Sequence, residues 1–136
     1  MPYTVTMFYA GLLGLILIAM SMRLVMMRRR LKVGLGSGGN EVMQRQVRAH
    51  ANFCEYVPLA LLLLLLMESA STVPVPALHA LGIALVAGRI LHGFFGLNLS
   101  SGTSLGRFWG TFLTWLVIVI GALWLLYLSL GKWLSA

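Results

Sequence analysis

Three polar residues near the start of the second apolar segment have the spacing of one helix face. Arg48, Asn52 and Glu55 are four and three residues apart, and these spacings place side chains on the same side of a helix. His50 and Tyr56 lie to either side of this row. Because guanidinium groups bind carboxylates through paired hydrogen bonds, the row indicates a site for an anionic ligand.

Further cations occur at two other places in the chain. Arg89 and His92 are three residues apart, and Arg107 is followed on the same helix face by Thr111 and Thr114. The chain has 10 Lys and Arg against 3 Asp and Glu, so few acids are available to neutralise these cations. A surplus of buried positive charge favours an anionic ligand, and a peptide-sized anion with carboxylates has the right chemistry.

The remaining reactive side chains have simpler interpretations. Glu55 either pairs with Arg89, which neutralises both groups and is compatible with a nearby ligand, or binds the ligand itself. Cys54 is expected to be an inert thiol, as most buried cysteines are. Three scattered histidines and this single cysteine give no metal-ligand spacing. The sequence therefore predicts no metal site.

The composition places these side chains in a membrane protein. Of the 136 residues, 60% are hydrophobic and only 10% are charged, whereas soluble domains contain about 25% charged residues. This excludes an ordinary cytosolic enzyme, a disordered tail and a soluble nucleic-acid binder, despite a net charge of +7. Basic charge on so apolar a chain is typical of contact with lipid headgroups or anionic substrates, or of residues that set topology.

Hydropathy predicts an all-α, integral membrane four-helix bundle that forms one domain over residues 1–136. A span needs about 20 mostly apolar residues, and two runs, from Tyr3 to Met22 and from Phe108 to Gly131, contain no charge. The apolar run from Tyr56 to Met67 is too short to span alone, so it is extended backwards through the polar row. The predicted helices cover approximately residues 3–30, 43–68, 76–97 and 106–131.

The distribution of Lys and Arg predicts the orientation. Nine of these ten residues lie in or beside the first and third linkers, and only Lys132 lies on the other side. Linkers rich in Lys and Arg stay in the cytoplasm. We therefore expect both termini outside and the polar residues in the cytoplasmic half. The basic residues from 23 to 32 are expected to be mostly topogenic and headgroup-facing.

Two segments resemble a known family. The segment from Arg48 to Pro58 (RAHANFCEYVP) resembles the helix-two signature of the MAPEG superfamily, the membrane-associated proteins in eicosanoid and glutathione metabolism. That signature is Arg-Ala-x-x-Asn-x-x-Glu followed by a proline. The segment from Gly88 to His92 (GRILH) resembles the third-helix Arg-x-x-His of the microsomal prostaglandin E synthase branch. The Gly-, Ser- and Thr-rich third linker is more similar to bacterial members. This resemblance implies a homotrimer with glutathione bound between neighbouring subunits on the cytoplasmic side.

The resemblance also implies roles for individual residues. It assigns glutathione contacts to Arg28 or Arg29, Arg48, His50, Asn52, Glu55, Tyr56 and His92. Arg107 is the nearest match to the arginine that activates the glutathione thiol in the eicosanoid branches. Gly96 stands where those branches have a ligand-facing tyrosine.

The implied function is that of a glutathione transferase, or in some relatives a peroxidase, in a bacterial inner membrane. Glutathione would be the co-substrate, and a lipophilic electrophile would arrive through the membrane lipids. One alternative is a non-enzymatic lipid-binding or ligand-binding protein, because the family includes such a member. A proton-coupled exporter is the unrelated alternative, and the excess of buried positive charge disfavours it because it repels cationic cargo.

Overall fold

Four long helices make up the fold. The computed structural model describes residues 3–96 and 104–135, and all regular secondary structure in this part of the chain is helical. The elements are α1 (Thr4–Leu31), α2 (Glu41–Ser69), α3 (Val75–Ile90), a π-helical turn that continues α3 (Leu91–Gly96), and α4 (Leu105–Leu134). Each of the four is long and apolar enough to cross a membrane. The predicted all-α, four-span architecture is confirmed.

Side-chain caps fix where α2 and α4 begin. The Asn40 side chain accepts a hydrogen bond of 2.9 Å from the backbone N–H of Met43, so α2 begins at Glu41, two residues before the predicted start. The Ser104 hydroxyl accepts one of 3.3 Å from the backbone N–H of Arg107. Both residues satisfy N–H groups that a helix start leaves without partners. Both helix starts lie at the end of the bundle that carries most of the Lys and Arg residues.

Consecutive helices run in opposite directions, so their ends gather at two levels. Glu68, at the end of α2, contacts the backbone of Val5 and Thr6 at the start of α1. Asn52, early in α2, contacts His92 after α3. One level contains the end of α1, the early part of α2, the end of α3 and the start of α4. We call this level the arginine-rich end. The other level is the opposite end.

The core is thin, and much of the apolar surface faces outward. One buried cluster is centred on Leu13, Phe53 and Leu85, and a second lies nearer the opposite end around Tyr9 and Leu64. Large apolar side chains are exposed along every helix; among them are Leu15, Leu62, Ile83, Leu123 and Tyr127. Such a surface suits lipid or other subunits rather than water.

Helices α3 and α4 approach closely at two glycines. A Cβ atom on Gly110 would lie 2.6 Å from the Gly88 carbonyl oxygen and 2.6 Å from the backbone nitrogen of His92. Small residues permit such contact between membrane helices. The contact brings the start of α4 against the residues at the end of α3, where the candidate site lies.

Candidate functional site

The row on α2 forms an ion pair along its own helix. Arg48 Nη1 lies 3.7 Å from Glu55 Oε1, and the two side chains are 62% and 50% exposed. The alternative in which Glu55 pairs with Arg89 is therefore wrong. The reason is geometric: Glu55 lies two helical turns from Arg48 on the same face, and Arg89 lies inside the bundle. Both members of the pair are accessible to a ligand.

Arg89 is a buried cation held without a carboxylate. Its side chain is 3% exposed, and Nη2 donates a hydrogen bond of 3.0 Å to the Gly110 carbonyl oxygen. Its guanidinium carbon lies 5.9 Å from the centre of the Tyr56 ring, within the range of a cation–π contact. Its Nε atom is buried without a hydrogen-bond partner. The carbonyl and the ring stabilise the charge, but neither neutralises it.

His92 lies at the centre of the positive charge. It is 4% exposed and belongs to the π-helical turn that continues α3; such turns are frequent at functional sites. Its Nε2 atom lies 3.4 Å from Asn52 Nδ2 on α2. The guanidinium groups of Arg89, Arg107 and Arg48 are all near enough to act on its ring electrostatically. Three helices thus contribute to one cationic cluster.

Arg107 connects this cluster to a groove on α4. The groove has a volume of about 510 Å³ and is lined by Ser104, Arg107, Phe108, Thr111, Phe112 and Trp115. Thr114, predicted on the same face, is instead fully buried, and its hydroxyl donates a hydrogen bond of 2.9 Å to the Gly110 carbonyl oxygen. The groove therefore offers one cation beside an aromatic surface.

The other predicted contacts lie at α1 and the first linker. Arg28 Nη1 donates a hydrogen bond of 3.1 Å to the Gly34 carbonyl oxygen, and Arg29 is exposed beside it. His50 Nε2 lies 2.8 Å from Ser21 Oγ on α1. Its other ring nitrogen faces Cys54, so both nitrogens already have partners within the chain. The role of His50 as a glutathione contact stays a prediction.

The predicted site residues therefore form two groups within one chain. The first group, the cationic cluster, contains Arg48, Asn52, Glu55, Tyr56 and His92, with Arg107 at its edge. In the second group, Arg28 and Arg29 lie at the end of α1 beside the first linker, and His50 faces Ser21 on α1. Arg89, which the sequence already grouped with His92 by its spacing, also lies in the cluster, although the family resemblance assigned it no ligand contact. Within residues 3–96 and 104–135, no group of three or more His, Cys, Asp or Glu could hold a metal ion.

Comparison with known proteins identifies relatives over most of the chain. The family model described as the MAPEG family matches residues 6–127. Inner membrane protein YecN of Escherichia coli strain K12 is 38% identical over 96 residues, which cover 69% of this chain and 70% of the relative. Its counterpart in Escherichia coli strain CFT073 has the same identity and coverage. Together with the four spanning helices, these relatives indicate a multi-pass inner membrane protein.

Proposed function

Because the chain belongs to the MAPEG family, we propose that it binds glutathione and conjugates it to lipophilic electrophiles. The observation that carries the proposal is the surplus of positive charge around His92. Arg89 is buried without a carboxylate, and Arg48 and Arg107 act on the same ring. Charge buried at membrane depth is costly, and an anionic ligand offsets that cost.

The exposed ion pair is a suitable binding element. Glutathione carries two carboxylates and one ammonium group, and Arg48 and Glu55 carry the complementary charges. An exposed pair contributes only about 0–1 kcal/mol to stability, so a ligand separates it at little cost. Arg48 then binds a carboxylate, and Glu55 binds the ammonium group. Asn52 and His92, 3.4 Å apart, contact the peptide portion.

Arg107 supplies the activating charge. An ordinary thiol has a pKa of about 8.5 and is mostly protonated at neutral pH, and a nearby guanidinium favours the thiolate. The aromatic groove beside Arg107 receives the apolar electrophile. The thiolate sulfur attacks the electrophilic carbon, a C–S bond forms, and the leaving group departs with the bonding electron pair. In a peroxidase reaction the same thiolate would attack the terminal hydroperoxide oxygen, and the O–O bond would break to release an alcohol. A second glutathione would then reduce the resulting sulfenic acid, which gives the disulfide and water.

We also propose that the complete site forms between neighbouring subunits of a homotrimer. In one chain, Arg28 and Arg29 lie beside Gly34 in the first linker, and they are not among the groups that act on His92. A neighbouring subunit brings one of these arginines to the ligand. Native mass spectrometry in mild detergent is expected to show three subunits, and a predominant monomer or dimer argues against this arrangement.

The orientation of the bundle is part of the same proposal. The arginine-rich end faces the cytoplasm and both termini face the periplasm, because nine of ten Lys and Arg lie at that end. A reporter that is active only in the periplasm, fused after Ala136, is expected to be active. Activity of a cytoplasm-specific reporter at that position contradicts the orientation.

The direct test of function is glutathione binding and conjugation of chlorodinitrobenzene by the purified, detergent-solubilised protein. Arg48→Ala is expected to weaken glutathione binding roughly ten- to hundredfold, because a hydrogen bond to a charged group contributes about 1.5–3 kcal/mol. Lys132→Ala, at the opposite end, is the matched control and is expected to bind like the parent. Equal binding by Arg48→Ala places the site elsewhere, and binding without turnover favours a non-enzymatic binding protein.

A further inference from the structure

A groove beside the end of α1 combines two arginines with apolar side chains. It has a volume of about 400 Å³, and its lining includes Arg23, Met26, Met27, Arg30 and Leu31 from α1 and Val42 from α2. The α1 residues follow the spacing of a single helix face. We call this surface the Arg23 groove. The glutathione site proposed above does not include its residues.

The Arg23 groove lies on the side of α1 away from the residues assigned to glutathione. Positions two apart on a helix are separated by about 200°, so Arg23 lies almost opposite Ser21, and Arg30 lies almost opposite Arg28. Ser21 contacts α2 one turn before Cys54, whose thiol is exposed rather than buried as expected. Arg28 lines a different groove. The two sides of α1 can therefore bind different ligands.

The two arginines of the groove have no acidic partner among the described residues. Both are exposed, and the chain contains only 3 acidic residues. Glu41 and Glu55 form ion pairs with other arginines of α2, and Glu68 accepts hydrogen bonds from the start of α1 at the opposite end. The positive charge of the groove is therefore available to an anion from outside the chain.

The spacing of the two arginines suits one phosphate group. Arg23 and Arg30 are seven residues apart, which is about two helical turns or roughly 10 Å along the axis. A helix directs its side chains toward its N-terminus, so Arg30 can extend back over Met26 and Met27. Arg23 can bend its guanidinium toward the same level, and guanidinium groups match phosphate oxygens through paired hydrogen bonds. Asn40 also lines the groove; its side-chain oxygen caps α2, and its NH2 group is a further donor.

The rest of the lining provides a surface for an acyl chain. Met26, Leu31 and Val42 are 50%, 41% and 44% exposed, and methionine adapts to flexible apolar ligands. A free phosphate ion would gain nothing from these side chains, whereas a phospholipid contacts them with its acyl chain. A second copy of this chain is a poor occupant, because its acidic residues are engaged in the same way.

We propose that the Arg23 groove binds one anionic phospholipid of the surrounding membrane. The phosphate diester lies between the guanidinium groups of Arg23 and Arg30, and one acyl chain lies along the apolar side chains of the groove. The Asn40 NH2 group donates a hydrogen bond to an oxygen of the headgroup. Basic pockets between membrane helices bind anionic headgroups in this way. The headgroup contact expected for the basic residues from 23 to 32 is thus concentrated at one site.

The test is native mass spectrometry of the full-length protein in mild detergent, with phosphatidylglycerol and phosphatidylcholine of identical acyl chains and without glutathione. Ammonium acetate at about 0.3 M limits electrostatic attraction to about 6 Å, so distant charges contribute little. The parent is expected to retain one phosphatidylglycerol per chain in preference to phosphatidylcholine. Arg23→Gln/Arg30→Gln is expected to lower that preference about thirtyfold, since each arginine at a membrane surface favours anionic lipid about fivefold.

Arg28→Gln/Arg29→Gln is the matched control, because it removes the same charge from the same helix end and leaves the Arg23 groove intact. Its preference for phosphatidylglycerol is expected to stay within about threefold of the parent, since its charges lie beyond the screening length. An equal loss in both double variants overturns the proposal. Loss of neighbouring subunits instead of lipid in Arg23→Gln/Arg30→Gln also overturns it, because the groove is then a subunit interface.

Two measurements on the parent decide the proposal even if a variant does not fold. A parent that shows no preference for phosphatidylglycerol contradicts it. Glycerol phosphate, which carries the headgroup phosphate without acyl chains, is expected to leave the bound lipid in place, and displacement of the lipid would make the groove a site for free anions. Arg48→Ala is expected to keep the preference for phosphatidylglycerol, so this proposal and the glutathione site fail separately.

Discussion

The two ends of the bundle handle their charged groups differently. At the opposite end, the Glu68 carboxylate accepts hydrogen bonds of 2.9 and 2.8 Å from the backbone N–H groups of Val5 and Thr6. Negative charge at a helix start also complements the helix dipole. Tyr9 and His79 form a second bonded pair nearby. These groups have partners within the chain, so we interpret the opposite end as structural.

The arginine-rich end is less completely paired. Arg89 is buried against a carbonyl and an aromatic ring, and the Arg48–Glu55 pair is long and half exposed. Complete pairing stabilises a fold, whereas incomplete pairing leaves charge for a ligand. Substitutions should therefore divide by end: changes at the opposite end should lower stability alone, and changes at the arginine-rich end should alter ligand binding or turnover.

The largest expected effect is at Gly110, where a substitution should lower both the stability of the fold and the affinity for glutathione. In Gly110→Ala, the new Cβ meets the Gly88 carbonyl and the His92 backbone at 2.6 Å, and backbone atoms cannot move aside easily. Overpacking of this kind costs roughly 3 kcal/mol, and glutathione binding should weaken as His92 shifts. Thermal unfolding in detergent measures the loss. Gly131→Ala, whose Cβ meets nothing within 4 Å, is expected to be neutral or slightly stabilising.

Arg107→Leu should affect turnover more than binding. The guanidinium lies beside the cluster and lines the aromatic groove, so its loss is expected to lower conjugation roughly ten- to hundredfold, about 1.4–2.7 kcal/mol of barrier. Glutathione affinity should stay within about a few-fold of the parent because the α2 row still holds the carboxylates. Arg23→Leu, at the same end, controls for lost surface charge.

The absorbance of glutathione thiolate, followed against pH, distinguishes the roles of Arg107. Removing a cation near the sulfur raises the pKa of bound glutathione, so the thiolate signal should appear at higher pH in Arg107→Leu. Abolished binding with an unchanged thiol pKa instead makes Arg107 a carboxylate ligand. If neither quantity changes, Arg107 only helps to set topology.

Glu68→Gln should reduce stability without changing glutathione affinity. The amide keeps one acceptor for the start of α1 but loses the negative charge and the second acceptor. Capping interactions of this kind contribute about 1 kcal/mol. Glu41→Gln is the matched control, because Glu41 is 84% exposed and 4.0 Å from Arg45, where an ion pair contributes little. Weaker glutathione binding in Glu68→Gln would break the division between the two ends.

Hydropathy predicted the first, third and fourth spans directly, because a helix that crosses a bilayer must be long and apolar. The second span required the extension of a short apolar run backwards through the polar row. The polar row on α2 was equally predictable from its spacing. Local chemistry at the helix ends was harder to see. Asn40 looked like part of the linker, yet its side chain caps α2. His92 lies in a π-helical turn whose backbone packs closely against Gly110 of α4.

Pairing across helices could not be predicted, because it depends on the rotation of each helix about its axis. Glu55 had two partners of suitable charge, and the structure pairs it with Arg48 rather than Arg89. His50 is only two residues from Arg48 in sequence, yet it faces Ser21 on α1. A rotation of about 100° per residue separates neighbouring positions on a helix, so adjacent site residues in sequence belong to different surfaces here.

The smallest effect is expected for Tyr9→Phe. The Tyr9 hydroxyl donates to the His79 carbonyl oxygen at 3.1 Å and lies 3.0 Å from His79 Nδ1. The phenylalanine ring keeps the packing against Gly82, whose missing Cβ makes room for it, so the substitution removes hydrogen bonds and creates almost no cavity. Hydrogen bonds between membrane helices contribute about 0.6 kcal/mol on average. Thermal unfolding should therefore shift only slightly.

Phe8→Leu is the matched control, because Phe8 is 57% exposed next to Tyr9 in sequence and makes no such hydrogen bond. The glutathione affinity of Tyr9→Phe should equal that of the parent, since the hydroxyl lies at the opposite end, away from the cationic cluster. A loss of affinity without a loss of stability would be the most informative contradiction. It would mean that a change at the opposite end alters the cationic cluster through α3, the helix that connects His79 to Arg89 and His92. The two ends could then no longer be treated as independent.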